Sequence, residues 1–299
     1  MNNFTTSREI CQKALRHQMS RNSRVNNLRH PYLLELDRRY YESLNFINYH
    51  PKKGFFVDMF PSSIKVPRDI IFEKTKWSYG SFLNINFNQI DNKNSLINRI
   101  KNAFYLTNKK KIYFPNFDNT YTFANHSFDY IQALSVMPWA ENTNSLIDES
   151  YRLLNPGGLF GFTSFGPETL KSFKSLLNTE KKSFIPLIDL HDLGDFCISA
   201  GFADPVVASH KVFFKYKKPE TALKELRIMS GNSNKRRDNF LRGKDWYRLI
   251  INTLDKCRDS DGNVSLEFEL IYGHAWKTDK TSQSKKSNSS MIEKKINFL

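Results

Sequence analysis

Short apolar runs alternate with amphipathic stretches along the chain, and their spacing gives the first picture of the fold. Leu33, Leu36, Tyr40 and Leu44 share one stripe of a 3.6-residue period, which predicts a helix over Tyr32 to Phe46. The HPKKG segment breaks that pattern, and Phe55, Phe56 and Val57 follow as a short buried-type strand ending at Asp58. Ile70 to Glu73 and Ile112 to Phe114 are the next strand candidates, while Ser81 to Asn108, with Ile and Leu at helical spacings, reads as helix. Ser127 to Leu134 reads as a strand, Ser145 to Leu154 as an amphipathic helix and Gly158 to Ser164 as another strand. Val206 to Tyr216 and Leu266 to Trp276 are two long strands separated by a basic, helix-like stretch. Strands alternating with helices at crossover-length gaps predict a parallel α/β sheet with helices on both faces.

Composition narrows the class. With 299 residues, 39% hydrophobic and 14% aromatic, the chain suits one large α/β domain or two small ones, and it is too apolar for a disordered polypeptide. No run approaches the roughly 20 apolar residues of a membrane span, so a soluble protein is expected. Cys11, Cys197 and Cys257 are far apart and never in a CxxC pattern. That excludes a disulfide framework and a thiolate zinc site, and fits a reducing compartment.

The formal net charge is +15, and it is uneven. Lys224 to Arg248 holds eight basic and three acidic residues, and the Ser- and Lys-rich tail from Lys277 to Leu299 six and two. Such charge suits a nucleic acid, a membrane surface or an acidic protein partner, and charge alone does not choose among them. The tail reads as a solvated, disordered end. The first thirty residues carry five Arg, one Lys and a single Glu, a composition shared with organellar transit peptides. No apolar core for secretion is present, the helical pattern continues directly after them, and a cytoplasmic location is expected. The expected organisation is an N-terminal helical segment over 1–50, a main domain over 51–276 with an insertion near 219–262, and a basic tail over 277–299.

Several segments line up with a known family. SFDYIQALSVMPWAEN, followed by LIDESYRLLNPGGLFGFTSFGPETL, resembles the fourth strand, the helix ending in R-L-L-x-P-G-G and the fifth strand of class I S-adenosylmethionine-dependent methyltransferases. Asn155-Pro156 stops the helix there, and Gly157-Gly158 permit a tight turn into a buried strand. HDLGDFCISAGFADPVV, LKELRIMSGNSNKRRDNFLRGKDWYRL and FELIYGHAWK are similar to the malonyl-acyl-carrier-protein O-methyltransferases of biotin synthesis. The resemblance runs from about Leu36 to Lys277. It implies a Rossmann-like, seven-stranded methyltransferase sheet with helices on both faces and a helical basic insertion before the last strand.

What the resemblance implies for the site falls on particular residues. Such a fold binds its cofactor at the carboxyl ends of the parallel strands, at the topological switch point. Asp58 at the end of the first strand, Glu73 at the end of the second, Asp118 before the fourth and Ser135 after it are the candidate S-adenosylmethionine contacts. Asp118 also suits an Asx turn, and Asp58 and Glu73 suit an ordinary turn and a solvated strand end. Trp139 would cover the sulfonium, or pad the core. One departure stands out: Asp58 is followed by MFPSSIKVP where the family has a glycine-rich run, and no glycine lies between Gly54 and Gly80.

The implied reaction is methyl transfer to the free carboxylate of a malonyl thioester on acyl carrier protein or coenzyme A. A carboxylate of pKa about 4 is already ionised at neutral pH, so no general base is needed. This agrees with the scattered placement of His126, His191, His210 and His274. Recognition of malonate calls for a guanidinium, with Arg227, Arg236, Arg237 and Arg242 as candidates and Arg227 preferred for its place beside apolar residues in LKELRIM. The same basic stretch would dock an acidic carrier protein. The chain is expected to act as a monomer. Two other readings are a methyltransferase-fold scaffold or regulator that has lost its cofactor, favoured by the missing glycines, and a nucleic-acid binder. The last has charge but no recognised binding signature.

Overall fold

Among the described residues, seven strands form one sheet in the order β3-β2-β1-β4-β5-β7-β6. They are β1 (Lys53–Asp58), β2 (Lys76–Ser81), β3 (Ile112–Tyr113), β4 (Phe128–Leu134), β5 (Leu154–Phe165), β6 (Ala203–Tyr216) and β7 (Val264–Trp276). The computed structural model describes residues 10–11, 13–15, 31–58, 74–81, 112–113, 121–177, 184–228, 233–235 and 243–278. β1 to β5 pair in parallel, and β7 runs antiparallel between β5 and β6. The chain builds outward from β1 through β2 and β3, returns to β4 on the other side of β1, and continues to β5. The order therefore reverses between β1 and β4, which makes that junction the switch point.

Among the described residues, the helices beside the sheet include α1 (Pro31–Leu44), α2 (Thr143–Leu153), α3 (Lys171–Leu177), α4 (Leu190–Ser199), α5 (Pro219–Ile228) and α6 (Lys244–Asp255). α1 begins at a proline, whose fixed φ suits a first helical turn. It buries Leu33, Leu36, Tyr40 and Leu44, the stripe the periodicity marks, and keeps Glu35, Arg38 and Arg39 paired on its outer face. Asn142 caps α2 by accepting the Ser145 amide at 3.0 Å, and Asp189 caps α4 by accepting the His191 amide at 2.9 Å. α4 closes at Gly201, whose φ of 98° lies in the left-handed region. The following Phe202 then stacks on Phe160 with centroids 5.3 Å apart. That is the physical content of the Gly201-Phe202 pair noted in the sequence.

Aromatic packing joins α1 to the sheet. Tyr32 stacks on Phe268 of β7 at 5.2 Å, and its hydroxyl donates to the Glu225 carbonyl of α5 at 3.2 Å. A second apolar cluster holds Tyr40, Tyr41, Leu44, Phe56, Tyr79, Tyr130, Leu134 and Leu159. Within it the hydroxyls of Tyr40 and Tyr130 bond to each other, and Gln132 Nε2 donates to Tyr130 at 2.8 Å. Burial pushes both tyrosine hydroxyls far above their ordinary pKa, so they stay neutral donors.

Three expectations are corrected. The strand beside β1 is Lys76–Ser81, with Asp58 opposite Ser81 in register, and the segment Ile70 to Glu73 lies outside the described residues. The carboxyl end of the second strand is thus Ser81, and the connection after Asp58 is longer than the sequence reading allowed. β5 starts at Leu154, directly after the helix, so Pro156 and Gly157 lie inside its first turn of chain, with Gly157 at φ 76°. Lys277 belongs to the fold and not to the tail. It is buried, and its ammonium donates to the carbonyls of Tyr151 at 2.6 Å and Leu154 at 2.9 Å. The helix expected over 81–108 lies outside the described residues from 82 onward, as does the tail from 279 onward. Among the described residues, no helix is long and apolar enough to cross a membrane.

Candidate active site

β1 and β4 end side by side, and their last paired residues are Asp58 and Leu134. The Asp58 backbone is therefore adjacent in register to the residue preceding Ser135, at the switch point. Ser135 leaves β4 with φ 56°, a left-handed conformation that costs a non-glycine residue roughly 1 kcal/mol or more. The ladder between β4 and β5 ends at Ala133 opposite Phe162. The next link is made by a side chain: the Ser135 amide donates to Thr163 Oγ1 at 2.7 Å.

This turn leaves a buried polar atom without a partner among the described residues. Ser135 is 1% exposed, and its Oγ has no hydrogen-bond partner among the described residues. Thr143 Oγ1, at the start of α2, is in the same state. A buried hydroxyl without a partner is costly in a folded chain and marks a place where a ligand or water supplies the missing bond. Its position at the carboxyl end of β4 fits a small polar ligand at the switch point.

Between these two hydroxyls the chain forms a 3-10 turn over Met137–Trp139, all three residues buried. Trp139 meets Phe165 edge to face with centroids 6.2 Å apart. It is part of the wall at the end of β4 and β5, so the padding role expected for it is present in the packing.

A second set of contacts gathers on the tripeptide Ser233-Asn234-Lys235, after α5. The Ser233 carbonyl accepts the Cys11 amide at 2.6 Å, and Asn234 Nδ2 donates to the Phe184 carbonyl at 2.9 Å. Lys235 forms an ion pair with Glu141, two residues beyond Trp139. Three segments far apart in sequence are thus tied together beside the chain that follows β4. Ile10 and Leu15, fully buried, belong to the same core cluster as Trp139.

Arg227 is exposed on α5, and its guanidinium lies 6.0 Å from the Tyr247 ring of α6. Leu223 and Leu226 of the same helix pack against the core, so burial does not single this arginine out. Arg236, Arg237, Arg242, Glu73 and Asp118 lie outside the described residues, and for Asp58 the description stops at the backbone. On α3, burial pushes the Lys174 ammonium down, against the pull of Glu267 and Glu168. Among the described residues no cluster of His, Cys, Asp and Glu could hold a metal ion. Thr163 and Thr143 were missed by sequence reasoning. The available signal for Thr163 was a polar pair, Thr163-Ser164, inside the apolar run GLFGFTSF.

Residues 84–162 match the family described as a methyltransferase domain. The chain is 31% identical over 161 residues to malonyl-[acyl-carrier protein] O-methyltransferase 1 of Coxiella burnetii, covering 54% of this chain and 57% of that protein. It is also 31% identical over 144 residues to the malonyl-[acyl-carrier protein] O-methyltransferase of Nitrosospira multiformis, covering 47% of each. The chain spans about half the length of the curated relatives it matches. Among solved structures, the YcgJ protein of Bacillus subtilis superposes with a TM-score of 0.50 at 12% identity, over 84% of this chain and all of that one. That likeness is one of fold.

Proposed function

We propose that this chain is an S-adenosylmethionine-dependent methyltransferase that esterifies the free carboxylate of a malonyl group carried on acyl carrier protein, a step of biotin synthesis. The observation that carries the reading is the similarity to two malonyl-carrier O-methyltransferases, joined to the buried Ser135 hydroxyl at the switch point of the sheet, which has no partner among the described residues. S-adenosylmethionine, when bound, supplies an electrophilic methyl group on a sulfonium. The residues assigned to hold it are Asp58 and Ser135, at the adjoining ends of β1 and β4, with Glu73 and Asp118 as further candidates. Trp139 shapes the wall that excludes water from the reacting atoms.

The protein's own contribution is alignment rather than proton transfer. The malonyl carboxylate is ionised at neutral pH, so a guanidinium that fixes its orientation and a dry wall beside it are sufficient. Arg227 is the assigned guanidinium. Lys224, Lys244 and Arg248 lie with it on α5 and α6 and give an acidic carrier protein a surface of opposite sign. α5 follows the end of β6, which runs parallel to β5, so this surface stands at the same rim as Asp58 and Ser135.

Isothermal titration with S-adenosylmethionine and its demethylated product tests the cofactor half. Micromolar one-to-one binding, weakened by Asp58→Ala, is expected. Mass-spectrometric detection of a methyl ester on malonyl-acyl carrier protein, compared with malonyl-coenzyme A, tests the substrate half. The lack of glycine between Gly54 and Gly80 favours a second reading, a methyltransferase fold kept as a scaffold or regulator. A folded chain that binds neither cofactor form at millimolar concentration establishes that reading instead.

A further inference from the structure

We propose that Thr163 is a positioning residue, fixing the left-handed turn at Ser135 so that the Ser135 hydroxyl is presented to the cofactor. The second clause rests on the cofactor reading above; the first stands on geometry alone. Parallel strands exchange backbone bonds, yet the ladder between β4 and β5 stops at Ala133 and Phe162. One step on, the Ser135 amide turns to the Thr163 side chain at 2.7 Å. Both residues are within 1% of full burial, so no solvent competes for that amide. With φ at 56°, Ser135 occupies a conformation that its own side chain does not favour. The hydrogen bond to Thr163 is the visible compensation. Its geometric result is that the Ser135 amide is satisfied inside the sheet while its Oγ has no partner among the described residues. A valine at 163 keeps the shape and removes the acceptor, and a serine keeps the acceptor and removes a methyl group.

The test uses the full chain with Thr163→Val and Thr163→Ser, and two readouts. Amide hydrogen exchange at Ser135, without ligand, is expected to accelerate about tenfold or more in Thr163→Val and to stay at the parent rate in Thr163→Ser. The Kd for S-adenosylhomocysteine, by titration calorimetry, is expected to rise about tenfold in Thr163→Val and to recover in Thr163→Ser. Thr163→Ala, which cannot overpack, replaces the valine variant if that chain does not fold. Unchanged exchange at Ser135 in Thr163→Val overturns the positioning role, whatever happens to Kd. Faster exchange with an unchanged Kd overturns the link to the ligand. If the parent chain binds no S-adenosylhomocysteine, the cofactor reading falls with that link, and the exchange data alone decide whether Thr163 sets the turn.

Discussion

The hydroxyl of Tyr40 occupies the space that a β-carbon on Gly161 would need. Helix α1 therefore reaches the backbone of β5 through one tyrosine, whose oxygen is held by Tyr130. Gly161→Ala is expected to destabilise the chain by about 1–3 kcal/mol, the usual range for overpacking. Adding Tyr40→Phe removes the colliding oxygen and is expected to return part of that loss. Urea unfolding of the two single variants and the double variant checks this, and strictly additive effects would show that the two positions do not touch.

Lys277 is a buried cation whose bonds go to carbonyls at the end of α2, where the helix dipole favours positive charge. The Tyr151 ring lies 4.3 Å from its ammonium. Lys277→Met keeps much of the apolar stem but removes the ammonium from both carbonyls, of which that of Leu154 still has His126 Nδ1 at 2.9 Å. A loss of about 2–4 kcal/mol is expected by chemical denaturation. A loss below about 0.5 kcal/mol, the usual range for surface positions, would return Lys277 to the tail.

Asp129 links β4 to the chain entering β1 and β5. Burial alone would push its carboxyl up, but Asn155 Nδ2 at 2.8 Å and the amides of Lys53 and Lys52, each at 2.9 Å, outweigh that and hold it below the ordinary value. Its stabilising effect is therefore complete above the unfolded pKa of about 4 and is lost as pH falls through the lower folded value. Stability measured from pH 6 down to pH 2 should fall less steeply in Asp129→Asn than in the parent. Equal slopes would exclude Asp129 as a source of acid sensitivity.

Asn234 is 3% exposed and holds the loop before α4 through the Phe184 carbonyl. Asn234→Ala should loosen the tripeptide that also binds Cys11 and Glu141. Limited proteolysis is expected to cut near residue 234 several-fold faster than in the parent, with little change at β6 or β7. Uniform acceleration across the chain would mean global rather than local loosening.

Burial pushes the Cys197 thiol up to about 12 and the Cys257 thiol up to about 11. Little thiolate exists at pH 8, so iodoacetamide should modify both slowly in the native chain and rapidly after denaturation. Fast native labelling of Cys197 would contradict its burial.

Strands built of consecutive apolar residues were legible in the sequence because burial on both faces leaves no polar alternation to misread. The apolar runs of β1 and β5 were found this way. β2, KWSYGS, was missed because its packing is carried by partners elsewhere: the Trp77 ring fills the space over Gly54, and Gly80 makes room for Phe55. Neither glycine signals a strand in a linear reading. At the candidate site, Asp58 and Ser135 were named as the strand ends that the family resemblance points to, and they remain proposed contacts. Thr163 could not be named this way, because a single polar residue in an apolar run reads as noise until the neighbouring strand shows which amide it meets. Lys277 was assigned to the tail because the residues after it look like a tail, and only the carbonyl ends of α2 show otherwise.

β7 runs against its neighbours, so β6 ends and β7 begins on the rim where β1 and β4 also end. The described helices between them, α5 and α6, belong to the connection of one long hairpin, and such a connection can lengthen, shorten or exchange helices at small entropic cost to the sheet beneath. On the proposed function, the part of the molecule assigned to the acceptor is thereby separable from the part assigned to the methyl donor. Relatives sharing this sheet could change what they modify by rewriting that connection, while the junction of β1 and β4 stays as it is.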